Sequence, residues 1–143
     1  MRVTQKCQYA LRAMLELTLS GGQGPIKIAE IARRQDIPPR FLETILSELN
    51  QAGFVDSRRG STGGYYLARS SKKITVGDVV RFVEGKQGGK WDELRESRGD
   101  CVFITLWQRA EDAVNDIFDN TTFESLAEEK RARDTEYVLD FVI

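Results

Sequence analysis

A mainly α-helical fold with one small β-hairpin is predicted by three features of this 143-residue sequence. Apolar residues recur at helical spacing through much of the chain. Two short helical stretches meet at the turn Gln35-Asp36-Ile37, and Pro38-Pro39 opens the second of them. A glycine-rich segment directly after them separates two short strand-like runs. That order makes a winged helix-turn-helix, to which a long C-terminal dimerisation helix is added. The expected division is a DNA-binding domain at 1–85, a mobile loop at 86–100, and a dimerisation helix with its tail at 101–143.

Each element has its own signal. Thr4 is placed to cap a helix over residues 5–20, with Tyr9, Ala10, Ala13, Met14 and Leu17 on one face and Gly21-Gly22 as its stop. Cys7 lies on that face and reads as a packing residue. After Pro25, residues 26–34 form a short helix with Ile28, Ile31 and Ala32 inward. Proline suits the first turn of the next helix because an N–H there has no intrahelical partner. That helix carries Phe41, Leu42, Ile45, Leu46 and Leu49 as one stripe and ends at Gly53. Thr75-x-x-Asp78 is a capping box for a helix over 76–84. Residues 85–100 have no period. A longer helix at 101–118 carries a broad apolar band: Ile104, Leu106, Trp107, Ala110, Ala113, Val114, Ile117 and Phe118. Its cover is a second copy or its own domain, and the second copy is the simpler answer. Leu106, Ala110, Ala113, Val114 and Ile117 are therefore the candidate dimer contacts. Thr121-x-x-Glu124 caps a final short helix.

The hairpin is the most informative segment. Phe54-Val55-Asp56-Ser57 can pair with Tyr65-Tyr66-Leu67-Ala68, leaving a cationic tip. The wing candidates are Arg58, Arg59, Gly60, Ser61, Thr62, Gly63, Gly64 and Tyr65. Glycines there let the backbone turn sharply and pass close to a surface. The same residues also fit an ordinary surface hairpin, but their place after two short helices favours a DNA-reading wing. Pro39, Arg40, Glu43, Thr44 and Ser47 lie off the apolar stripe, toward the end of the second helix that enters the major groove in such proteins. Lys27 and Arg33 are candidate phosphate contacts.

The formal net charge is only −1, yet it is unevenly placed. Residues 1–73 carry twelve Lys/Arg against six Asp/Glu, whereas residues 74–143 carry nine against sixteen. A basic half joined to an acidic half suits a DNA-facing module attached to a segment kept off the phosphates. There is no histidine, which removes the commonest general base and metal ligand. No nucleophile-plus-base pair or phosphate-cradling loop is present, so an enzyme is not expected. Two distant cysteines fit a reducing cytosol, and no apolar run suits a membrane span or signal peptide, so a cytoplasmic protein is expected.

With these pieces in place, the chain resembles the Rrf-two (Rrf2) family of bacterial winged helix-turn-helix regulators, of IscR and CymR type. The matching residues are Val3-Thr4-x-Lys6-x-x-x-Tyr9-Ala10-Leu11-Arg12-Ala13, Ile28-Ala29-Glu30-Ile31-Ala32 and Phe41-Leu42-Glu43-x-x-Leu46. They continue with Arg59-Gly60-x-x-Gly63-Gly64-Tyr65, Ile74-Thr75-x-x-Asp78-Val79 and Leu106-Trp107. The resemblance implies a homodimer on a palindromic operator in double-stranded DNA, with Arg59 in the minor groove and Glu43 near the bases. A carboxylate there is tolerable where it accepts from a cytosine amino group; pairing with Arg40 is the alternative.

Better-known members hold an iron–sulfur cluster through three cysteines before the long helix. Here only Cys101 stands at such a position, and the histidine of IscR-type members falls at Ile104. A cluster needs four ligands, so no metal and no cofactor are expected. Cys101 is either a redox-sensitive thiol beside a helix N-terminus or a residue packed at the dimer seam.

The second half resembles the cluster-free CymR-type repressors of cysteine metabolism, which makes a repressor of that kind the expected function. A thiol-redox or iron–sulfur sensor, and an interaction adaptor that has lost its operator, are the alternatives. The apolar end, residues 137–143, either folds back or projects as a docking peptide. It resembles tails that end in isoleucine and enter the active site of cysteine synthase (O-acetylserine sulfhydrylase). That implies this enzyme as a partner, with Phe141 filling a pocket and Ile143 supplying the anchoring carboxylate.

Overall fold

The computed structural model of the chain describes residues 3–85 and 102–142. Helix α1 spans Gln5–Leu19, and the Thr4 hydroxyl caps it by accepting the Cys7 N–H at 3.2 Å. Its inward face, Cys7, Ala10, Ala13, Met14 and Leu17, is buried as the spacing requires. Burial, with Glu84 beside it, pushes the Cys7 thiol up to about 11. Cys7 is therefore a small core residue rather than a reactive one.

Helices α2 (Ile28–Gln35) and α3 (Pro39–Gln51) form the helix-turn-helix. Asp36 turns the chain in the left-handed region, φ 51°, and the Ile37 N–H donates to the Ala32 carbonyl at 3.0 Å. Asp tolerates this conformation better than most residues. Ile37 then plugs the angle between the two helices, buried. α1 fixes the turn from below through polar contacts. Its buried Glu16 accepts from Gln35 Nε2 at 2.8 Å and meets Arg34 at 3.4 Å, while Arg12 donates to the Gln35 carbonyl at 3.1 Å.

Leu42, Ile45, Leu46 and Leu49 bury the stripe of α3, and each large apolar side chain so buried contributes roughly 1.5–3 kcal/mol. Phe41 departs from the expectation. It sits at the edge of the stripe, 51% exposed, with the Arg40 guanidinium 5.3 Å from its ring centre. Ile26 departs too: the expected start of α2 is extended and pairs with Tyr65 across an isolated bridge. Two backbone hydrogen bonds with Tyr65 hold it in that extended form.

Strands β1 (Val55–Arg58) and β2 (Gly64–Leu67) pair antiparallel, with Val55 opposite Leu67 and Arg58 opposite Gly64. Helix α4 (Val76–Glu84) opens on the predicted capping box: the Thr75 hydroxyl accepts the Asp78 N–H, and the Asp78 carboxylate accepts the Thr75 N–H.

The C-terminal helices are α5 (Val102–Asp119) and α6 (Phe123–Val142). The turn between them is sewn to the front of α4, where the Val76 N–H donates to the Thr121 carbonyl at 2.9 Å and the Phe123 N–H to the Ile74 carbonyl at 3.1 Å. Arg81 pairs with Asp119 at 2.6 Å, and a Cβ on Gly77 would overlap that carboxylate. Phe123 is wholly buried in the core built by α1–α4.

The broad apolar band of α5 resolves into two opposite stripes. Ile104 is buried and Val114 and Phe118 are half-buried, on the side turned to the chain's own body. Leu106, Ala110, Ala113 and Ile117 are exposed on the other side. Of the expected dimer contacts, Val114 is the one already half-buried within a single chain. The final helix is also longer than expected. Its cap is the Thr122 hydroxyl, which accepts the Ser125 N–H at 3.1 Å, whereas Thr121 donates its hydroxyl back to Ile117. Residues 128–134, all but one of them charged, continue the helix because their ions pair at i,i+4: Glu129 with Arg133, and Lys130 with Asp134 at 3.0 Å. Residues 137–142 end that helix, exposed and not packed into the core. The expected mobile loop at 86–100, Cys101 and Ile143 lie outside the described residues.

Candidate nucleic-acid interface

Two surfaces of the helix-turn-helix and hairpin carry the candidate contacts. The first is the outer face of α3. Pro39 starts the helix, and Arg40, Phe41, Glu43, Thr44 and Ser47 are all exposed. Arg40 lies over Phe41, and no Arg40–Glu43 ion pair is found among the described residues, so the alternative partner for Glu43 is not used. Phe41 was the residue that helical spacing misplaced. On this face a ring can contact a thymine methyl group. An exposed aromatic in the first turn after Pro-Pro was the available signal.

The second surface is the wing. Arg59, Gly60, Ser61 and Thr62 form an exposed tip between Arg58 and Gly63. Neither Arg58 nor Arg59 has a carboxylate within ion-pair distance among the described residues. Uncompensated guanidiniums on a narrow projection suit a groove of strong negative potential. The remaining wing candidates hold the structure from inside. A Cβ on Gly63 would overlap the Arg58 carbonyl oxygen, and one on Gly64, at φ +145°, would overlap the Ile26 carbonyl. The surface that these glycines approach is therefore the chain's own backbone. Tyr65 exchanges two hydrogen bonds with Ile26, at 2.9 and 2.8 Å, and packs its half-buried ring against the core. This bridge fixes the wing relative to α2.

The flanking cations differ from one another. Lys27 is exposed at the start of α2, immediately beside Gly64. Arg33 is exposed but engaged, 2.6 Å from Glu30, whose carboxyl is held below its usual range first by the hydrogen bond from Arg33 and then by Arg34. Arg69, which follows β2 and was not among the candidates, is steadied with its guanidinium 4.8 Å from the Phe54 ring centre.

A helix-turn-helix with a wing locked to it, and exposed cations on both, defines a winged-helix DNA-binding protein. The chain belongs to the Rrf2 family, whose model, described as "Iron-dependent Transcriptional regulator", matches residues 3–129. It is 37% identical over 137 residues to the HTH-type transcriptional regulator IscR of Pectobacterium carotovorum subsp. carotovorum, covering 94% of this chain and 84% of that protein. It is likewise 37% identical over 127 residues to the regulator CymR of Bacillus subtilis, covering 89% and 90%. The solved structure of CymR (YrzC), the global cysteine regulator of B. subtilis, matches with a TM-score of 0.75 at 34% identity, over 90% of this chain and 98% of that one. The protein is a DNA-binding transcriptional regulator, and its relatives are named as regulators rather than enzymes.

The family description implies iron, and the donor set does not fit it. The sequence has two cysteines and no histidine, and no group of three or more His, Cys, Asp or Glu among the described residues could hold a metal ion. Cys7 is sealed in the core with a raised pKa, the reverse of what a thiolate ligand needs. No helix among the described residues is long and apolar enough to cross a membrane.

Proposed function

We propose that the protein acts as a homodimeric repressor on a palindromic operator, with α3 in the major groove and the Arg59 wing in the minor groove. Residues 1–85 supply the DNA contacts and residues 101–143 the dimer. The observation that carries this reading is the exposed face of α3 beside a wing whose arginines have no internal partner and whose root is locked through Ile26 and Tyr65. The exposed stripe Leu106, Ala110, Ala113 and Ile117 supports a second copy as its cover, since Ile117 is 65% exposed in one chain. Control of cysteine or sulfur metabolism is the regulatory role that the likeness to CymR favours.

A cysteine synthase is the proposed co-repressor. Phe141 is 79% exposed at the end of α6 and is free of the core. Docking through Phe141 and Ile143 requires the last turn of α6 to fray, as helix ends readily do. The test mixes the protein with its host's cysteine synthase, with and without O-acetylserine, on a labelled operator. Tighter operator binding with the enzyme, abolished by removal of residues 141–143, is expected. No effect of the enzyme on the intact chain would refute this partner, and the same effect on the truncated chain would refute docking through the tail; DNA binding is judged by the operator alone in either case.

A further inference from the structure

Behind the wing lies an open cleft of about 510 Å³, walled by the hairpin, the glycine loop after α1 and the first turns of α6. Among the described residues its charged lining is three arginines, Arg58, Arg69 and Arg131, against one carboxylate, Glu124. That carboxylate is already committed: it accepts from the Ser71 hydroxyl at 2.6 Å and stands 3.8 Å from Arg131. Arg58 and Arg69 have no carboxylate within ion-pair distance among the described residues. Phe54 steadies Arg69 from one face, which leaves the edge of its guanidinium available to an oxyanion. Glu124 likewise steadies Arg131. No residue of α3 lines the cleft, so it is separate from the face that reads bases. Its volume falls within the range of small-ligand sites.

We infer that this cleft binds a small, multiply charged oxyanion, bridging Arg58 and Arg69 on the wing side to Arg131 on α6. Carboxylates and phosphates share the chemistry: planar guanidiniums pair with either through two parallel hydrogen bonds. The site goes beyond the operator reading and does not need it, because it is complete in a protein free of DNA. It also has a consequence for that reading. Arg58 cannot serve an anion in the cleft and a DNA phosphate together, so ligand and operator should oppose each other reciprocally.

The test is calorimetry on the full-length protein without DNA, in chloride buffer at constant ionic strength, with citrate and pyrophosphate titrated separately. Saturable binding of at least one probe, one per chain, is expected. Arg131→Gln should weaken it about tenfold or more, as the loss of a charge-assisted partner does. Arg131 is outside the proposed DNA contacts, so the variant should keep its melting temperature and its operator affinity in ligand-free buffer. Citrate alone binding would assign a carboxylate ligand, and pyrophosphate alone a phosphate. Absence of saturable binding below about 10 mM for both probes would overturn the proposal. Equal binding by wild type and Arg131→Gln would also overturn it, by placing the anion on the DNA face.

Discussion

Replacing Gly64 by Ala challenges the joint that aims the wing. The residue sits at φ +145°, and a Cβ there would overlap the Ile26 carbonyl and crowd the Lys27 N–H. The backbone conformation costs an L-residue roughly 1–3 kcal/mol. Moving packed backbone to admit a methyl group costs roughly 1–3 kcal/mol more. The sum, about 2–6 kcal/mol, corresponds to a fall in melting temperature of roughly 5–25 °C for a chain of this size. If the root peels away instead, the loss is nearer the two Ile26–Tyr65 hydrogen bonds, about 1 kcal/mol each, but the wing then loses its fixed direction. Gly60→Ala is the internal control. That residue has φ +105° but nothing within 4 Å of an added Cβ, so it should show the backbone cost alone. Thermal denaturation and operator titration of the two variants separate these cases. Wild-type stability and operator affinity in Gly64→Ala would refute the claim that the Ile26 bridge positions the wing.

Other perturbations address the remaining contacts. Ile117→Glu places a charge on the exposed stripe of α5, and at a dimer seam that costs several kcal/mol, so sedimentation should show folded monomers with weakened operator binding. Ile104→Glu puts the same charge on the opposite, buried stripe and should lower the melting temperature instead. Lys27→Ala should weaken binding to all DNA about equally and flatten the salt slope by roughly one unit, read from affinities at several salt concentrations. The Cys7 thiol, raised to about 11 by burial and Glu84, stays protonated in the folded chain after the unfolded one begins to ionise. Its contribution to stability is therefore complete below the ordinary thiol range and lost as pH rises toward 11. Denaturation in a Cys101→Ser background should show that decline, and Cys7→Ala should reduce it.

Where local chemistry decides the structure, the sequence was easy to read. The Thr4 cap, the Thr75/Asp78 capping box and the register of the hairpin all depend on neighbours within a few residues. The missed features depend on distant parts of the chain. Ile26 became a bridge because Tyr65, far along the sequence, offers it two hydrogen bonds. Phe41 obeys an i,i+4 spacing with Ile45 yet lies at the rim of the stripe, and periodicity alone cannot say how wide a buried face is. Ile104 and Leu106, two residues apart on α5, point to opposite sides by helix geometry, but only packing shows that the Ile104 side is the one the chain buries. The last helix is longer than its cap and apolar spacing suggest because i,i+4 ion pairs carry it through residues 128–134. At the interface, residue types located the tip of the wing. They did not separate the exposed arginines of the tip from Gly63, Gly64 and Tyr65, whose work is internal support.

The central claim, sequence-specific DNA binding through α3 and the wing, is tested most directly by one titration series. Duplexes selected by the protein from genomic DNA, and scrambled copies of them, are titrated with wild type and Arg59→Ala across a range of salt. The account predicts a palindromic selected site, preferred over its scrambled copy by about 10³-fold or more, with affinity falling steeply as salt rises. It also predicts that Arg59→Ala loses roughly 1–3 kcal/mol on the selected site and discriminates less. Equal affinity for selected and scrambled duplexes, or an Arg59→Ala protein that binds as well as wild type, would contradict it.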